Sequence, residues 1–88
     1  MQYTPPSPHD LERLKQELEL SSAQMADLFG VAGGRQWRKY TGGAEPRELS
    51  PHILFFAMAR LELDPPTLER ILDRMRAAGA TIDLDASE

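Results

Sequence analysis

"GVAGGRQWRKYTGG", residues 30–43, is the stretch whose reading decides the fold. Glycines bound it on both sides, and between them stand Arg35, Arg38 and Lys39 with no acid among them. Trp37 and Tyr40 lie three residues apart, the spacing that puts two side chains on one side of a helix. The segment therefore reads as a short helix at 33–40 with an apolar inner side and a cationic outer one. Its charge runs against that of the chain, which carries a net −4 over 88 residues. From residue 30 to residue 48 four bases face two acids, +2, whereas six bases and twelve acids, −6, make up the remainder. Steering toward phosphate depends on such a local patch rather than on the total.

Upstream, "SSAQMADLF" supplies a second short helix. Ser21 with Gln24 three residues on forms a capping box. Met25, Leu28 and Phe29 make the apolar stripe, Ala26 is small enough to admit a neighbouring helix, and Gly30 ends it. Before that, Ser7 as cap, Pro8 at the first helical position and Asp10 in the first turn announce a leading helix. Its inner face is Leu11, Leu14 and Leu18, and it ends near Leu20. Residues 1–7, with Pro5 and Pro6, read as a flexible arm.

Downstream, Ser50 can cap and Pro51 can open a fourth helix whose apolar residues run from Ile53 to Leu61. A fifth follows in "LDPPTLERILDRMRAAG", with Asp64 or Thr67 as cap, Leu68, Ile71, Leu72 and Met75 on one side and Gly79 as the stop. The closing residues, 80–88, read as an acidic tail in which "TIDLD" alternates apolar and acidic residues, a weak signal for a short β-strand on a dimer mate's edge. Five short helices with brief connections predict an all-α domain spanning residues 8–79.

Two short helices joined by a tight, glycine-containing turn, the second one basic, is the outline of a helix-turn-helix. A major groove about 12 Å wide admits one helix, and side chains on its outer face reach base edges. Arg35, Gln36, Arg38 and Lys39 are the candidates for that contact. Gly33 and Gly34 would let the helix start approach the DNA backbone, and Ser22 and Gln24, at the start of the second helix, are candidates for phosphate.

The segment "SSAQMADLFGVAGGRQWRKYTGG" resembles the DNA-binding part of the phage-repressor and Cro-type (XRE-like) helix-turn-helix regulators. The match lies in Ser21 as cap, Ala26, Gly30 four residues later, Val31 after it, and the Trp37–Tyr40 pair; it covers roughly residues 11–61. The small size also resembles the compact autorepressors of phages and mobile elements, including those encoded beside anti-CRISPR genes. The resemblance implies a lambda-repressor-like five-helix domain and a transcriptional regulator of double-stranded DNA. Two departures stand out: Ser22 takes the place of the usual glutamine opening the second helix, and the step from Gly30 to Trp37 is one residue longer than usual.

An 88-residue chain has a small core, and pairing of two copies is a natural way to complete it. Adjacent Phe55 and Phe56 cannot both be buried by one helix face, so one is expected on a second surface. Phe55, Phe56, Leu68, Ile71, Leu72 and Met75 are the candidates for a homodimer interface. The competing reading has the last helix packing back across Phe55 within one copy.

Other chemistries find little support. His9 and His52 lack ligand companions, so no metal is expected. Ser50 and His52 come with no oriented base or oxyanion hole, so no catalytic residue, no cofactor and no enzyme is expected. There are no cysteines, no apolar run approaches the roughly 18 residues of a membrane span, and the N-terminus does not read as a signal peptide. A cytoplasmic protein is expected. The alternative to a repressor is an antitoxin-like interaction module, its acidic C-terminus engaging a basic protein partner.

Overall fold

The computed structural model describes residues 1–85. It is all-helical: α1 (Pro8–Leu18), α2 (Ser22–Phe29), α3 (Gly33–Thr41), α4 (Pro51–Glu62) and α5 (Pro65–Ala77). Among the described residues there is no strand. The alternation over 81–85 does not become one, because the segment ends in a turn closed by the Asp85 N–H donating to the Asp83 carboxylate at 2.9 Å. A lone extended segment has no ladder to join, and a local carboxylate supplies the backbone partner instead. Residues 86–88, the end of the expected tail, lie outside the described residues.

Helix starts follow the side chains that cap them. Ser7 accepts from the Asp10 N–H and the Asp10 carboxylate accepts from the Ser7 N–H, a complete capping box at α1. The Ser7 backbone N–H, with help from the Ser7 hydroxyl, holds the Asp10 carboxyl below its ordinary value. Ser21 and Gln24 form the same box at α2. Ser50 accepts from the Ile53 N–H ahead of Pro51 at α4. At α5 the cap is Asp64, whose carboxylate accepts from the Thr67 hydroxyl at 2.6 Å and the Thr67 N–H at 3.2 Å. Those two bonds lower the Asp64 pKa.

Helix ends are equally regular. At α2 the Gly30 N–H donates to Asp27 and the Val31 N–H to Ala26, the paired bonds of a Schellman motif, with Gly30 left-handed at φ +70°. At α1 the same pair of bonds runs from Glu19 to Gln16 and from Leu20 to Lys15, and here the left-handed position belongs to Glu19 at φ +56°. A side chain in that conformation costs about 1–2 kcal/mol. At α5, Gly79 donates to Arg76 and Ala80 to Met75, which turns the chain back.

The chain forms two compact units, Met1–Ala57 and Met58 onward, the boundary falling within α4. In the first unit Leu11, Met25, Ala26, Phe29, Trp37, Leu49 and Ala57 are buried. There α3 packs along α2 and, less extensively, on α1. The segment before α1 is tethered: the Tyr3 hydroxyl donates to the Leu49 carbonyl at 2.7 Å, so the expected arm is held at one point against the buried residue that precedes α4. In the second unit Leu72 is buried, and Ile71 and Met75 are 44% and 38% exposed. Among the described residues no helix is long and apolar enough to cross a membrane.

Candidate nucleic-acid interface

The connection from α2 to α3 is three residues, Gly30 to Ala32. After the Schellman bonds, the Gly33 N–H donates to the Val31 carbonyl at 3.0 Å, with Ala32 at φ −80°, ψ 80°. That is an inverse γ-turn. Gly33 follows at φ +83°, a conformation that favours glycine, and the helix begins there. Ala32 gives α3 no side-chain cap, unlike α1, α2 and α5.

Gly34 has a packing role that the sequence did not reveal. A Cβ there would lie 3.2 Å from the Ala23 nitrogen and 3.2 Å from the Ser22 Cβ. The first turn of α3 therefore rests directly on the first turn of α2, and only a residue without a side chain permits that approach without a shift. Ser22 is half-buried at this junction, and Gln24 is exposed with its amide oxygen used in the capping box.

Trp37 fixes the rotation of α3. It is fully buried, its ring centroid 4.8 Å from that of Phe29 at an interplanar angle of 45°. Tilted rings at this separation bring edge toward face, an arrangement worth about 0.5–1.5 kcal/mol beyond area burial. The Trp37 Nε1–H is buried without a hydrogen-bond partner among the described residues. Apolar burial of the ring has to outweigh that unpaired donor. Tyr40 is half-buried beside it on the helix.

With Trp37 inward, helix geometry sets the rest. At 3.6 residues per turn each step rotates about 100°, so Arg35 and Lys39 lie roughly opposite Trp37 and Arg38 lies about 100° from it, on the Arg35 side. Arg35, Arg38 and Lys39 are all exposed and share one sector of about 100°. Gln36 lies on the other flank and is half-buried. None of the three cations has an ion-pair partner among the described residues. The Arg47 N–H donates to the Lys39 carbonyl at 2.8 Å, which folds the following loop back on α3 and brings Arg47, also exposed, alongside.

The structure thus gathers Ser22, Gly34 and the start of α3 into one junction, and Arg35, Arg38 and Lys39 onto one outward sector. Gly33 forms the turn itself. The residues expected at a dimer contact have mixed environments: Phe55 is 77% exposed, Phe56 and Leu68 are half-buried, and Leu72 is 4% exposed in a single copy. Phe56 packs on the turn, its Cε2 standing 3.3 Å from where a Gly30 Cβ would be. His9 and His52 are both exposed, and no group of three or more metal-ligating side chains occurs among the described residues. Comparison of the chain with protein-family models, with curated proteins and with solved structures finds no match.

Proposed function

We propose that the chain is a sequence-specific regulator of double-stranded DNA, a homodimeric repressor of the helix-turn-helix kind that reads an inverted repeat through α3. The observation that carries the reading is the unpaired cationic sector of Arg35, Arg38 and Lys39 on a short helix held from behind by Trp37. An α-helix with its side chains is about 10–12 Å across, the width a major groove admits. A bidentate arginine–guanine contact is worth about 1–3 kcal/mol of discrimination, and Arg38 is the first candidate for it, Arg35 the second. Lys39, a compact point charge, suits a phosphate. The close seating of α3 on α2 through Gly34 would let the two helix starts approach one strand of the backbone together. In a two-fold pair the two α3 helices would meet half-sites about one helical turn, roughly 34 Å, apart.

Selection of binding sites from a random duplex pool, wild type beside Arg38→Ala, tests this. Wild type is expected to enrich an inverted repeat, and the variant to lose or relax one position of each half-site. Absence of any enriched site would overturn the reading and favour the alternative of a protein partner engaged through the acidic C-terminus.

A further inference from the structure

In the second unit, charges of both signs are without an ion-pair partner among the described residues. On α5, Arg70 and Arg74 stand four residues apart, both exposed, and their guanidinium groups have no ion pair or hydrogen bond among the described residues. With Thr67, Ile71 and Asp73 they line a shallow groove of about 550 Å³. The Asp73 carboxylate in that lining pairs with the Arg76 Nη1 at 2.9 Å. Beside this basic ridge runs an apolar one, Ile71 and Met75, 44% and 38% exposed.

The unpaired acids are on the segment after Gly79. Arg76 donates from Nη2 to the Ile82 carbonyl at 2.9 Å while its Nη1 holds Glu69 at 2.8 Å and Asp73. The tail is thereby fixed at residue 82 on its own helix, and beyond that point Asp83 and Asp85 are exposed and form no ion pair among the described residues, Leu84 between them. With its local turn opened into an extended segment, the tail would match the ridge in spacing. Residues four apart on a helix are about 6 Å apart along the axis. Alternate residues of an extended segment are about 6.6 Å apart and share a face.

We propose that in a pair of copies the 83–85 segment of each lies along α5 of the other, Asp83 and Asp85 on Arg70 and Arg74, and Leu84 against Ile71 and Met75. The exchange is reciprocal, as a two-fold contact requires. It replaces the local turn in which the Asp83 carboxylate accepts the Asp85 N–H, and it leaves the Arg76–Ile82 anchor in place. The proposal rests on the pairing of copies put forward above and not on DNA binding.

Charge exchange tests it on the full chain, by sedimentation equilibrium at moderate salt with no DNA present. Wild type is expected to self-associate. Arg70→Glu with Arg74→Glu places an acidic ridge against acidic tails, and Asp83→Lys with Asp85→Lys places basic tails against a basic ridge. Each double variant is expected to associate at least about tenfold more weakly than wild type. An equimolar mixture of the two restores both contacts and is expected to form a heterodimer of near wild-type strength. The four substitutions are at exposed positions, and unchanged helical circular dichroism establishes that each variant is folded. A monomeric wild type, variants that pair like wild type, or a mixture that fails to pair would each overturn the proposal. So would loss of duplex binding in the Arg70→Glu, Arg74→Glu variant with its pairing intact, since α5 would then be a phosphate contact. Failure of the site selection leaves this experiment untouched, so the two readings stand or fall separately.

Discussion

Replacing Gly30 by alanine should destabilise the first unit by about 1–2 kcal/mol, for two separable reasons. The φ of +70° is a left-handed conformation in which an L side chain costs about 1–2 kcal/mol. Part of that is returned because alanine lowers the entropy of the unfolded chain, by about 0.4–1 kcal/mol. The second cost is contact: the new Cβ would stand 3.3 Å from the Phe56 Cε2, so a half-buried ring must move by a few tenths of an ångström. Glu19 provides the control, because it closes α1 with the same Schellman bonds at φ +56° and already bears a side chain. Glu19→Gly is therefore expected to stabilise, by about 0.5–1 kcal/mol. Asparagine tolerates the left-handed region, so Gly30→Asn should recover the conformational share and leave the Phe56 contact unrelieved. For a chain of this size 1 kcal/mol corresponds to roughly 4–8 °C in Tm. Denaturant titration followed by the fluorescence of Trp37, the single tryptophan, reads all three variants. A neutral Gly30→Ala, or a Glu19→Gly that destabilises, would refute this account of the turn.

Truncating Trp37 to alanine should cost about 3–5 kcal/mol, a large share of the roughly 4–13 kcal/mol expected for 88 residues, and thermal unfolding by circular dichroism would show a greatly lowered midpoint. On the proposed function, a pair neutralising about three phosphates per copy should bind duplex DNA with a log–log salt slope of roughly −5, and Lys39→Ala should make it shallower by about two, one phosphate per copy. Equal slopes for variant and wild type would remove Lys39 from the contact. Tyr3→Phe removes the hydroxyl bonded to the Leu49 carbonyl and should cost about 0.5–1.5 kcal/mol in denaturant titration. Asp10 and Asp64 have carboxyls held below the ordinary 3.8, by the Ser7 N–H and by the Thr67 hydroxyl and N–H respectively. Their contribution is complete above about pH 4 and is lost as pH falls through the depressed values, so Asp10→Asn should narrow the gap in stability between pH 6 and pH 3.

Much of the fold was legible because helix punctuation is local. Ser7, Ser21 and Ser50 each bind a backbone N–H three residues on, and Gly30 and Gly79 take the left-handed positions at which α2 and α5 stop. Such signals require only neighbours in sequence, so composition and spacing suffice to find them. The inner face of α3 was legible for the same reason, since a tryptophan inside a cationic hexapeptide has one direction in which to be buried. Glu19 was not, because no residue preference marks a glutamate as left-handed; the two Schellman bonds impose it. Nor was the function of Gly34. Its neighbours, Ser22 and Ala23, are twelve and eleven residues away in sequence and meet it only after α2 and α3 are packed.

The tail shows the converse, a local pattern without a local outcome. Alternation of Ile82, Asp83, Leu84 and Asp85 is a strand's pattern, but a strand needs an edge, and the described chain offers none. What the residues do find is Arg76, which takes the Ile82 carbonyl, and their own backbone, through the Asp83 carboxylate. The alternation survives in exposure rather than in secondary structure: Ile82 and Leu84 are half-buried, and Asp83 and Asp85 face solvent. Exposed charge on both tail and α5 ridge costs little in a single copy, because water screens each group separately. It becomes informative only when a second surface removes that water, which is why charge reversal in the pair, and not stability of the monomer, is the measurement that reads it.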